Sequence, residues 1–146
     1  MSRHSDFIKV VIYNNCAGHR FHAWVEGICR SLFADASPAE VYPFMLKLLQ
    51  LEEGQFEELP GTGFSADYVK RETARAVAGV NGRSRIYSGI DVDIPTGPTQ
   101  CSRQGVKAAV LAAFQGGAQG VVLSRKYSEM LQEHLAGAGD AIKEIG

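Results

Sequence analysis

"IYSGIDVDIPTG", Ile86 to Gly97, sets two aspartates into a run that otherwise reads as a buried β-strand, which Pro95 and Gly97 then stop. Strand alternation puts Tyr87, Gly89, Asp91 and Asp93 on one face and Ile86, Ile90, Val92 and Ile94 on the other. The second set is apolar and predicts a helix-facing side. The first predicts a face that opens into a polar environment at its C-terminal end, since a carboxylate leaves water only where other partners replace its hydration.

Outward from this strand, the chain alternates strands with helices. Upstream, "FIKVVIY" (Phe7 to Tyr13) is β-branched and aromatic with little alternation, as expected of a strand in a parallel sheet covered on both faces. Asn14, Asn15 and Gly18 read as its stop. Phe21, Trp24, Val25, Ile28 and Leu32 recur at helical spacing and predict a helix over Arg20 to Phe33. "SPAE" predicts a second helix, with Ser37 as cap, Pro38 at the first position and Glu40 three residues after the cap. Glu52 to Phe64 reads as an acidic surface connector, and Ser65 to Val80 as a third helix. Downstream of the opening strand, a helix is expected over Ser102 to Gln115 and a third strand at "VVLSR" (Val121 to Arg125). "YSEMLQEHL", a break at Gly137 and Gly139, and a short helix from Asp140 to Ile145 follow.

This order predicts an α/β class with three parallel strands joined by crossover helices, in one domain spanning residues 1–146. Three parallel strands leave two open edges, and such sheets are normally larger. The expected fold is therefore a portion of a larger sheet or barrel, completed by missing sequence or by oligomerisation through the strand edges.

Composition narrows the function classes. The chain is 45% apolar and 21% charged, with a formal net charge of −1, so it lacks the basic excess that holds a nucleic-acid backbone. Its longest apolar run, Ala108 to Phe114, is far short of the roughly 18 residues of a membrane span, and "MSRHSDF" is no signal peptide. A cytoplasmic protein is expected. Cys16, Cys29 and Cys101 are odd in number and have no CxxC spacing, which argues against a disulfide framework or zinc ribbon. Cys16, His19 and His22 are the sharpest metal candidates, but with no fourth ligand in view neither a metal nor a cofactor is expected.

"VVIYNNCAG", "GFSADYVKRETARAVAGVNG", "IYSGIDVDIPTG", "GVVLSRKYSEM" and "LAGAG" together resemble the C-terminal part of a group of bacterial (β/α)8-barrel proteins described as glycoside-hydrolase-like. The resemblance covers essentially all of this chain but only the last part of that barrel. It implies that the three strands are the sixth, seventh and eighth of a TIM barrel, which in full takes roughly 250 residues. It also implies a carbohydrate ligand, and a glycosidase if the protein is an enzyme.

In such a barrel Asp91 and Asp93 would climb into the mouth, above the room left by Gly89. Two carboxylates at i and i+2 lie about 7 Å apart along the backbone. A glycosidase, however, needs its carboxyl groups roughly 5 to 9 Å apart on opposite sides of the scissile bond. One strand approaches from one side only, so these aspartates fill at most one of the two roles. Glu129, just past the third strand, is the best second carboxylate within the chain, but the fourth strand that carries the acid in many barrel glycosidases is missing, so the chain on its own is expected to be incomplete as a catalyst. The strand is also similar to the Asp-x-x-Asp-x-Asp-x-Glu strand of chitinase-like barrels, but Ser88 and Pro95 replace its first aspartate and its glutamate, which removes the proton donor. The alternative to catalysis is structural: one aspartate caps a helix or loop and the other pairs with Arg125 or Lys126.

Asn14, Asn15, Arg125, Lys126 and Tyr127 are the candidate substrate-binding residues, the asparagines for sugar hydroxyls, the cations for an anionic group and the tyrosine for a sugar face. Two other readings stand beside the carbohydrate one. The first is a phosphate ligand at Gly137 to Asp140, and the second a non-enzymatic self-associating module.

Overall fold

The computed structural model describes residues 4–92, 101–124 and 130–146. Strand β1 (Phe7–Val11) ends two residues before the apolar run does, because Tyr13 takes a left-handed conformation (φ 41°, ψ 57°) and turns the chain into helix α1 (Asn14–Cys29). That helix starts at Asn14, where the sequence was read as a turn, and stops at Cys29, short of the expected Phe33.

Helix α2 (Pro38–Leu49) starts as its sequence predicts. The Glu40 carboxylate accepts hydrogen bonds from the Ser37 backbone N–H (2.9 Å) and hydroxyl (2.8 Å), and Pro38 occupies the first turn. The acidic connector is not a surface strap. Phe56, Leu59 and Phe64 are buried, Leu59 as the first residue of the single turn α3 (Leu59–Thr62), and the Tyr42 hydroxyl donates to the Gly54 carbonyl at 2.6 Å. With Phe21 and Val25 of α1 and Val41 and Met45 of α2 they form a small second core.

Ser65 caps α4 (Ala66–Val80), its hydroxyl accepting from the Tyr68 amide at 3.2 Å, and Ser102 caps α5 (Arg103–Gln115) through the Gly105 amide at 3.0 Å. Strands β2 (Arg85–Asp91) and β3 (Gly120–Ser124) follow α4 and α5 respectively. The expected break at Gly137 is absent. Helix α6 runs unbroken over Gln132–Ile145, and Gly137 lies against α5 so closely that a Cβ there would collide with the Arg103 carbonyl. Its glycine permits a helix contact rather than ending a helix.

The three strands are parallel and lie in chain order, β1-β2-β3, with Val10 opposite Ser88 and Ser88 opposite Val121. Ile12, Ile90 and Val92 meet Val69 of α4, Val106 and Val110 of α5 and Ala138 and Ala141 of α6 in the main core. On the same face the buried hydroxyls of Thr73 and Ser88 share a hydrogen bond at 2.7 Å. The opposite face carries Phe7, Lys9 and Val11, then Tyr87, Gly89 and Asp91, then Val122 and Ser124. None of these joins either core, and Phe7 and Val11 remain 48% and 64% exposed. Among the described residues the sheet is thus covered by helices on one side, while the other side is open along β1 and closes only near Gly89 and Asp91.

Candidate functional site

The C-terminal ends of the strands gather the polar groups. Asp91, the last residue of β2, is 0% exposed. One carboxylate oxygen accepts from the Asn15 backbone N–H (3.0 Å) and the Asn15 side-chain amide (3.2 Å), and the other from the Cys16 N–H (2.7 Å). The Asn15 amide also donates to the Asp91 carbonyl at 2.7 Å. These two backbone amides belong to the first turn of α1, whose donors have no intrahelical partner. Tyr13, at the capping position, makes no side-chain cap bond there, so the strand aspartate caps the helix from outside. The positive end of the helix and three donors replace the hydration that Asp91 lost.

This geometry corrects two expectations. Asp91 does not stand free in a mouth, because both of its oxygens are hydrogen-bonded and it is buried. Asn15 is buried and directs its side-chain NH2 group to Asp91. Asn14 is buried as well, and its amide donates to the Phe64 carbonyl at 3.2 Å, but its side-chain oxygen has no hydrogen-bond partner among the described residues. Asp93, Glu129, Arg125, Lys126 and Tyr127 lie outside the described residues.

A second polar group lies on the open face. Lys9 Nζ donates to the Tyr13 hydroxyl (2.8 Å) and to Ser124 Oγ (2.9 Å), and the Tyr13 hydroxyl donates to Ser124 Oγ (2.9 Å). The ammonium also lies 5.1 Å from the centre of the Tyr13 ring. Gly89 makes this possible: a Cβ there would stand 2.8 Å from Lys9 Cε and 3.1 Å from Tyr13 Cε1. The space that the sequence assigned to the aspartates is filled by the lysine stem and the tyrosine ring. Neither Lys9 nor Ser124 stands out in the sequence, and the signal that could have found them is the register that sets both on Gly89's face.

The remaining candidates resolve into structural roles. Cys16 is buried beside Asp91, and His22 stacks on Phe56 with ring centres 4.1 Å apart. No group of three His, Cys, Asp or Glu side chains among the described residues is placed to hold a metal ion. Trp24 is partly exposed on α1 against Phe21. The amides of Ala138 to Asp140 lie within α6, where backbone bonds take them up, and Asp140 pairs with Arg103 at 2.7 Å, so the expected phosphate site is not formed. Among the described residues no helix is long and apolar enough to cross a membrane. Comparison with protein-family models, with curated proteins and with solved structures finds no match to this chain.

Proposed function

We propose that the chain supplies consecutive βα units of a (β/α)8-type barrel whose lumen-side face binds a carbohydrate, in keeping with its glycoside-hydrolase-like resemblance. The observation that carries this reading is the one-sided sheet. Strands that run parallel in chain order with their helices on one face match a barrel wall, whereas a doubly wound sheet reverses its order and covers both faces. Barrel proteins place their sites at the C-terminal ends of the strands, and here Lys9, Tyr13 and Ser124 meet toward that end. An ammonium, hydroxyls and an aromatic ring are the mixed donors, acceptors and stacking surface that a polyol takes.

In this reading Asp91 holds the site together and does not react. Hydrolysis is assigned to Asp93 and Glu129. The outer edges of β1 and β3 take further strands, from a partner copy or from additional units of the same barrel.

A panel of neutral sugars followed by amide chemical shifts, together with chromogenic glycosides, tests the proposal. Binding is expected to move the resonances of Lys9, Tyr13 and Ser124, and Asp93→Asn or Glu129→Gln is expected to abolish hydrolysis while sparing binding. A chain that binds no sugar and cleaves no glycoside overturns it. Light scattering that shows a monomer argues against a partner copy closing the sheet.

A further inference from the structure

We infer that the triangle of Lys9, Tyr13 and Ser124 is an oxyanion site, and that the carbohydrate taken by the open face carries an acidic group such as the carboxylate of a uronate. The inference rests on the carbohydrate reading for the rest of the ligand, but not for the anion.

Counting hydrogens leads to it. An ammonium has three N–H donors and no acceptor. Two of those donors are directed at Tyr13 Oη and Ser124 Oγ, which leaves one. Ser124 Oγ accepts from both Lys9 and Tyr13, so both of its lone pairs are used and its own O–H points away from them. One N–H of Lys9 and the O–H of Ser124 therefore leave the triangle without an acceptor among the described residues, beside a full positive charge.

The charge has no counterpart within reach among the described residues. Among the described residues Lys9 forms no ion pair. Asp91 is the carboxylate opposite Ser124 in the sheet register, but its oxygens are turned onto the amides of Asn15 and Cys16, where the positive end of α1 offsets its charge. Lys9 and Ser124 are both half-buried, so a ligand reaches them from the open face while part of the surrounding water is excluded, and Coulomb attraction strengthens there.

Two further features mark a built arrangement. Gly89 provides the floor, since any side chain would displace Lys9 Cε and the Tyr13 ring. Tyr13 holds an unfavourable left-handed backbone, a kind of strain that persists where the surrounding structure enforces it and that concentrates at ligand sites. A carboxylate presents two oxygens that accept the free N–H and O–H together, in bonds assisted by charge.

The test measures affinities of the full chain for D-glucuronate, D-glucose, acetate and inorganic phosphate by calorimetry and by chemical shifts, on wild type, Lys9→Met and Ser124→Ala. Glucuronate is expected to bind about tenfold tighter than glucose, the effect of one charge-assisted contact. Lys9→Met should bring the two sugars within about twofold, and Ser124→Ala should weaken glucuronate with the charge retained. Equal affinity of wild type for the two sugars overturns the inference, as does a glucuronate preference that survives in folded Lys9→Met. If Lys9→Met does not fold, the wild-type preference and the Ser124→Ala loss decide. Acetate or phosphate binding at Lys9 without any sugar binding sustains the anion site and refutes the carbohydrate reading. Sugar binding without any effect of charge does the reverse.

Discussion

Replacing Asp91 separates a capping role from a reacting one. In Asp91→Ala the amides of Asn15 and Cys16 lose the carboxylate that accepts from them, and each unsatisfied buried donor costs about 1–2 kcal/mol. Losing a negative charge at the start of α1 adds about 1 kcal/mol. The sum is a destabilisation of about 3–5 kcal/mol, which at a slope of about 2 kcal/mol per molar urea lowers the unfolding midpoint by about 2 M. Asp91→Asn keeps one acceptor oxygen but turns an NH2 group toward an amide donor, so it should lose about 2–3 kcal/mol. Urea titration followed by circular dichroism measures both, and hydrogen exchange should show the first turn of α1 losing protection before the rest of the helix. If both variants unfold within about 0.5 kcal/mol of wild type, and α1 keeps its protection, the capping argument is wrong. Loss of glycoside turnover in such an undisturbed protein would return Asp91 to the reacting groups.

Three further perturbations probe other joints of the fold. Gly137→Ala and Gly139→Ala change the same residue type two positions apart in α6 with opposite expected signs: the first meets the Arg103 carbonyl and should destabilise by about 1–3 kcal/mol, while the second meets nothing within 4 Å and should stabilise by about 0.5–1 kcal/mol, both read by thermal unfolding. Thr73→Val or Ser88→Ala alone leaves one buried hydroxyl without its partner and should cost about 1 kcal/mol or more, whereas the double variant should cost less than the sum of the two; additive losses would show that the 2.7 Å contact carries no coupling. Glu40, whose carboxyl is held below its ordinary range by the Ser37 amide and then the Ser37 hydroxyl, should stabilise the start of α2 above that range and lose its effect as pH falls through its lowered value. The stability difference between wild type and Glu40→Ala, measured against pH, should therefore shrink in acid and stay constant from neutral to mildly alkaline pH.

Local signals were legible and distant ones were not. Ser37, Pro38 and Glu40 start α2 as read, and Ser65 and Ser102 cap helices within a residue of their expected starts, because each signal and its target lie within three residues. The alternation of β2 correctly separated Ile86 and Ile90 from Tyr87, Gly89 and Asp91. The start of α1 was missed because its cap is Asp91, which no window around Asn14 contains. Gly137 was misread for a similar reason. A glycine that ends a helix and one that admits a neighbouring helix look alike in sequence, and only the Arg103 carbonyl distinguishes them. The connector from Glu52 to Phe64 is acidic in composition, yet Phe56, Leu59 and Phe64 fold it onto α1, so composition set its rim and three apolar residues set its path.

These long-range contacts converge on the end of β2. On the open side the Asp91 carboxylate is bound by the first turn of α1. On the helix side the Val92 carbonyl is 2.7 Å from Nδ1 of His134, a buried residue of α6, and since a carbonyl only accepts, that nitrogen carries the hydrogen. The Val92 amide in turn donates to the Ser124 carbonyl at 2.7 Å, so β2 is tied to the strand whose last side chain completes the Lys9 triangle. Shifting β2 along its axis by one residue would break all three links at once and would place a side chain where Gly89 leaves room for Lys9. Asp91 therefore bears on the Lys9 triangle without belonging to it. By fixing the register of β2 against α1 it keeps the glycine beneath the lysine, and the burial of its charge follows from that position.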